Sequence, residues 1–143
     1  MNMKAMSGVL GGLMMLSTAV LAGPSDDARK HFESIGSANL EQLAAEYGAD
    51  SRLYWIGGPL DGVYDGAEAI GAVWQKFTRS QGALKVTVEK LEEAANPKGA
   101  TVTANVQFEG KQKIKVRYVL TYRDGKLLAE TWQIAPDLPM GAN

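Results

Sequence analysis

From Ala83 to Ile134 apolar and polar residues alternate with a period of two, and this pattern constrains the fold more than any other feature of the chain. Leu84, Val86 and Val88 alternate with Lys85, Thr87 and Glu89; Val102, Ala104, Val106 and Phe108 alternate with Thr101, Thr103, Asn105 and Gln107. Ile114, Val116, Tyr118, Leu120 and Tyr122 then alternate with Lys113, Lys115, Arg117 and Thr121, and "LLAETWQI" closes the series. Side chains one residue apart on a strand point to opposite faces, so each run has one apolar and one polar face. The turn signals "NPKG", "EGK" and "RDGK" between the runs predict four long antiparallel strands, the last pair joined by a tight hairpin. One apolar sheet face needs a cover, and the residues upstream must provide it.

The upstream residues read as helices. Ser25 is a candidate N-cap with Asp26 and Asp27 in the first turn, where carboxylates oppose the helix dipole favourably, and Gly36 ends that helix. Asn39 caps a second helix with Gln42 at capping-box spacing, and Leu40, Leu43, Ala44 and Tyr47 form its apolar stripe. "SRLYWIGG" is too short for a helix and stops at Gly57, Gly58 and Pro59, so it is a strand followed by a turn and a brief return strand, "GVY". Asp65 then caps a third helix whose Ala67, Ile70, Val73, Trp74 and Phe77 share one face. The reading is α+β, with three N-terminal helices packed on one side of an antiparallel sheet.

Residues 1–22 read as a signal peptide, with Lys4, an apolar run, and small residues at Val20 and Ala22 before the cut. Residues 23–143 are then one domain, since about 120 residues support one hydrophobic core and not two. A periplasmic or secreted protein is expected, with no membrane association once the leader is removed. The chain has no cysteine, which excludes disulfides, thiol nucleophiles and Cys-based metal sites. Processing leaves 14 basic against 16 acidic residues, a net charge of about −2 that offers no field for nucleic acid.

The order helix, helix, strand, short strand, helix, four-strand meander resembles the nuclear transport factor 2-like (cystatin-like) cone fold. "WIGGPLDGVYDGAEAIGAVWQKF" and "YRDGKLLAETWQI" are most similar to the SnoaL-like polyketide cyclase group. The resemblance implies a bent sheet and three helices enclosing a conical pocket, and a homodimer formed through the outer sheet face. It implies a lining of Trp55, Val73, Trp74, Tyr118, Glu130, Trp132 and Ile134, with His31 pointing inward as well. Where a ketosteroid isomerase carries its aspartate base, this chain has Trp55, and His31 falls near that family's tyrosine, so that chemistry is not inherited.

His31 is the sole histidine, so clustered-imidazole metal binding is excluded and any imidazole proton transfer must use it. It is either a pocket acid or base, or a helix-surface histidine. Glu130 shares a strand face with Leu128 and Trp132; if enclosed it needs a partner such as His31 or Arg52, or a proton, and otherwise it reaches solvent. Trp55, Trp74 and Trp132 suit either ligand lining or core packing, with Tyr54 and Tyr118 offering polar tips to a ligand. Lys111, Lys113, Lys115 and Arg117 share a sheet face, read as solvated or as part of a dimer contact that also holds Val119 and Leu127. Asp61 and Asp65 are turn and cap residues, and no serine or threonine sits in a nucleophile elbow.

Two functions follow as expectations. The first is non-catalytic binding of a small apolar or cyclic molecule. The second is a lyase, isomerase or cyclase in which Glu130 and His31 form an acid and base pair. Neither reading calls for a cofactor or a metal.

Overall fold

The computed structural model describes residues 23–141; the signal peptide assigned to residues 1–22 lies outside them. Helix α1 (Pro24–Gly36) starts two residues before the sequence suggested. Proline fits the first helical position because its φ is preset and its missing N–H would have been unpaired there, so Gly23 takes the cap position. Ser25 lies inside the helix and donates its hydroxyl to Glu93 Oε1 at 2.6 Å. Helix α2 (Leu40–Ala45) is capped by Asn39, whose side-chain oxygen accepts the Gln42 N–H at 3.1 Å.

Strands β1 (Arg52–Ile56) and β2 (Gly62–Asp65) form an antiparallel pair, and the turn between them is held by Asp61 Oδ1, which accepts the Gly57 N–H at 2.7 Å. Helix α3 (Gly66–Gln81) follows. Asp65 stands at its cap position but makes no capping bond, because Arg52 on the neighbouring strand donates Nε–H to it at 2.5 Å. Strands β3 (Lys85–Asn96), β4 (Gly99–Glu109), β5 (Lys113–Arg123) and β6 (Lys126–Ile134) complete the chain. Asp124 (φ 51°) and Gly125 (φ 75°) form the tight β5–β6 turn, the doubly positive φ pattern that matches strand twist in a two-residue hairpin.

The six strands run in the order β2-β1-β6-β5-β4-β3, and the sheet is not closed. It is mixed, not purely antiparallel: β1 pairs in parallel with β6, from Arg52 opposite Ala129 to Ile56 opposite Gln133. The meander runs β3 to β6 as expected, and β6 then extends along β1 in the same direction.

Strands β4 and β5 keep their register over the whole of their pairing, and inward Val102, Ala104, Val106 and Phe108 face inward Val116, Tyr118 and Leu120. Strands β3 and β6 each carry an irregularity. One lies between Glu89 and Glu92, where Lys90 has a φ of 51°. In the other, Thr121 pairs with Ala129 while Tyr122 pairs with Leu127, leaving Leu128 as an extra residue. An extra residue bends and twists its strand, which curves the sheet. It also shifts the alternation: Leu127 is fully buried and Leu128 only partly, so Leu127 belongs to the core instead of the outer face, and Leu128 does not share the face of Glu130.

Helix α1 lays Ala28, Phe32 and Ile35 on the concave face, and α3 adds Ile70, Val73, Trp74 and Phe77. Each large side chain taken fully out of water contributes roughly 1.5–3 kcal/mol, before the entropy of ordering it is set against that. At the end of α1, Gly36 lies so close to β3 that a Cβ would collide with the Val86 side chain and the Leu84 carbonyl, and its own carbonyl accepts the Leu84 N–H at 2.8 Å. Glycine thus lets the helix end dock on the sheet. Among the described residues no helix is long and apolar enough to cross a membrane.

Candidate functional site

Helix α1 carries His31 on the same face as Ala28, Phe32 and Ile35, and that face is buried. Strand β6 brings Glu130 to meet it, with His31 Nε2 at 2.6 Å from Glu130 Oε2. Glu130 also accepts the Tyr47 hydroxyl on Oε1 at 2.5 Å and the Tyr118 hydroxyl on Oε2. Trp74 donates its indole N–H to the Tyr47 oxygen at 2.9 Å. On the other side of the ring, His31 Nδ1 lies 3.2 Å from both oxygens of Glu46. The result is a continuous chain from Trp74 through Tyr47, Glu130 and His31 to Glu46.

Both ring nitrogens of His31 face carboxylates, so both carry hydrogens and the group is an imidazolium. Burial alone would push its pKa down, but the charge of Glu130, the hydrogen bond to Glu130 and the hydrogen bond and charge of Glu46 raise it to about 10. The Tyr47 and Tyr118 hydroxyls are held well above the usual phenol range, first by burial and then by the Glu130 charge. They therefore act as donors to a buried carboxylate and, with the His31 imidazolium, compensate its lost water. Among the described residues no cluster of three or more His, Asp or Glu side chains is arranged to hold a metal ion.

The centre of the cone is filled. Trp74, Trp132, Tyr118 and Phe32 are fully buried: Trp74 and Tyr118 meet Trp132 edge-on, Phe32 is tilted against Tyr118, and Phe32, Trp74 and Tyr118 pack edge-on with the His31 ring. Open volume lies instead at the two ends of β5 and β6. At one end a cleft of about 590 Å³ is bounded by Asp27, Lys30, Glu46, Tyr122 and Leu127 among others. Glu46, whose side chain is 17% exposed, is the one member of the polar chain that reaches it. At the opposite end a cleft of about 670 Å³ is bounded by Trp55, Leu60, Phe77, Ile114, Trp132 and Ile134, with Lys76, Ser80, Gln81, Gln112, Lys113 and Lys115 around them.

The residues nominated from sequence therefore separate. Trp55 and Trp132 stack at 4.5 Å and line the larger cleft. His31, Glu130, Trp74 and Tyr118 come together, but in the sealed centre, where they line neither cleft. Tyr54 is half-buried on the opposite face of β1 from Trp55, with its hydroxyl 3.4 Å from Arg52 Nη1, because adjacent strand residues point to opposite sides. Glu46 and the Tyr47 hydroxyl were not singled out for this network. Tyr47 was legible as an apolar stripe residue, but no local spacing ties it to a carboxylate 83 positions later.

No family model matches the chain, and no curated protein does either. Solved structures do. An NTF2-like protein of unknown function from Pseudomonas putida KT2440 superposes with a TM-score of 0.66 at 16% identity, over 76% of this chain and 81% of that one. A protein with a cystatin-like fold from Nostoc punctiforme gives 0.60 at 15% identity, over 80% and 90%. A protein with a ketosteroid isomerase-like fold from Catenulispora acidiphila, solved with trimethylamine, gives 0.60 at 13% identity, over 80% and 88%. At these identities the likeness is one of fold: the chain has the NTF2-like, cystatin-like architecture.

Proposed function

We propose that this chain is an exported small-molecule-binding protein whose site is the cleft beside Trp55 and Trp132. The observation that carries the reading is the contrast in access. The larger cleft has a wall of Trp55, Leu60, Phe77, Ile114 and Ile134 and a volume within the range of small-ligand sites, whereas His31 and Glu130 have no exposed surface with which to meet a substrate. The leader-like residues 1–22 support export.

The test is a titration of cyclic apolar compounds followed by tryptophan emission. Binding is expected to shift the emission, and the variant Ile134→Arg, which puts a charge into the cleft wall, is expected to abolish the shift. Emission indifferent to every compound, or a shift that survives in the variant, rejects the reading.

A second reading is favoured by the 2.6 Å contact between His31 and Glu130: a lyase, isomerase or cyclase in which the pair tunes a proton-transferring group. Access then has to come through Glu46, so turnover in any assay should vanish in Glu46→Gln and persist in Ile134→Arg. The outer face of β4 to β6, where Val119, Thr121, Ala129 and Thr131 are half-buried and Arg117 donates to Asn105 at 2.9 Å, supports a homodimer; sedimentation as a monomer at high concentration would end that proposal.

A further inference from the structure

The polar groups of the larger cleft narrow what it could hold, on the reading that it is a binding site. We propose that its ligand is an apolar organic anion, with a ring or hydrocarbon body against the Leu60, Phe77, Ile114 and Ile134 wall and a carboxylate or sulfonate at the mouth beside Lys76, Lys113 and Lys115.

Charge is the first argument. The chain as a whole is nearly balanced, with a formal net charge of −1, yet the residues bounding this cleft include three lysines and no aspartate or glutamate. The cleft at the other end mixes signs, with Asp27, Glu46 and Asp124 beside Lys30, Lys98 and Arg123. Sequence spacing alone suggested that Lys113 and Lys115 belonged to a solvated outer face. The fold brings them to the end of the sheet, where Lys76, one helical turn from Ser80 on α3, joins them. Lys76 and Lys113 are exposed, so an anionic head there keeps part of its water and avoids the cost of burying a charge.

Unpaired polar atoms are the second argument. Among the described residues three buried side-chain polar atoms have no hydrogen-bond partner: Gln81 Oε1, Trp132 Nε1 and the Tyr122 hydroxyl. Two of the three belong to residues bounding this cleft. Trp132 has Trp55 stacked at 4.5 Å and Phe108 at 5.1 Å on its faces, and Phe77, Trp74 and Tyr118 meet it at steep angles, yet none of these rings gives its Nε1–H an acceptor. An unpartnered indole N–H in a residue that bounds the cleft calls for an acceptor oxygen, and the Gln81 amide can orient a second polar group on the same ligand.

The test compares two fluorescent probes that differ by one group, 1-anilinonaphthalene-8-sulfonate and its uncharged parent N-phenyl-1-naphthylamine. The sulfonate is expected to bind roughly tenfold more tightly, with a preference that shrinks as salt rises, as for lysines partly screened by water. In the double variant Lys76→Gln/Lys113→Gln the two affinities should converge while that of the uncharged probe stays unchanged. In Lys98→Gln/Arg123→Gln, at the other cleft, the preference should survive. Equal affinities in the unaltered protein, or a preference lost only in the second variant, overturn the anion assignment and leave binding as such intact. Failure of both probes to bind removes the binding reading and this inference with it.

Discussion

Glu130 and Trp132 lie two residues apart on one face of β6, and both are buried, yet their polar atoms have opposite fates. Every oxygen of Glu130 has a partner: Tyr47 on one, Tyr118 and His31 on the other. The single polar atom of Trp132 has none. A fully partnered buried network ties down the elements that contribute to it, here α1, the end of α2, α3, β5 and β6. An unpartnered donor in a residue that bounds open volume leaves an interaction unmade, the one the proposed ligand would complete. The two regions share a strand and a layer of aromatic rings, and what separates them is satisfaction, not burial.

Breaking the paired region should have the largest effect. Glu130→Gln keeps the shape but leaves the imidazolium of His31 without its closest counter-charge, which should cost about 3–5 kcal/mol, as for other buried ion pairs that lose one member. Urea unfolding reads this directly, and an unchanged midpoint would mean that the network does not support the fold. The next effect is set by pH. The pKa of His31 is raised to about 10 in the folded chain, above the ~6.5 of an unperturbed histidine, so its contribution is complete below that unperturbed value and is lost as pH rises through about 10. Stability should therefore fall by on the order of a few kcal/mol between neutral and strongly alkaline pH, and that slope should be absent in His31→Gln. The smallest effects give the sharpest comparison. Tyr47→Phe removes a donor to Glu130 and the acceptor of Trp74, at about 1–3 kcal/mol, whereas Gln81→Met removes an oxygen with no partner and one long, exposed 3.4 Å bond to Ser80, and should stay within ~0.5 kcal/mol of the unaltered protein. Equal losses in the two variants would erase the distinction between the regions.

Much of the architecture was legible because it is local and periodic. The alternation over β4 and β5 holds without a slip, the helical phase of Val73, Trp74 and Phe77 is the phase of burial, and Asp-Gly marks the hairpin. Local signals also decided the start of α1 and the cap of α3, but there two of them competed. Pro24 displaced Ser25, and Arg52 drew Asp65 away from its helix. The extra residue at Leu128 was invisible, since a strand read by alternation gives no sign of where it skips, and Leu127 and Leu128 exchange faces as a result.

The site was legible in part for the same reason. The helical phase of His31 placed it inside and the alternation placed Glu130 inside, and the two do meet. Glu46 sits just past the end of a short helix, in no periodic pattern, and only the approach of α2 to α1 makes it a partner of the ring. The parallel seam between β1 and β6 is likewise a meeting of distant segments, and it is that seam which puts Trp55 beside Trp132.

The contact between His31 and Glu130 spans 99 positions, and that between Tyr47 and Glu130 spans 83. A polypeptide emerging N-terminus first thus makes its first helix long before the carboxylate which neutralises that helix's buried cation exists. Until the final hairpin is in place, α1 has a reason to stay in water. The last strand is thereby the clasp of the whole molecule, and a chain cut short ahead of Lys126 would lack it.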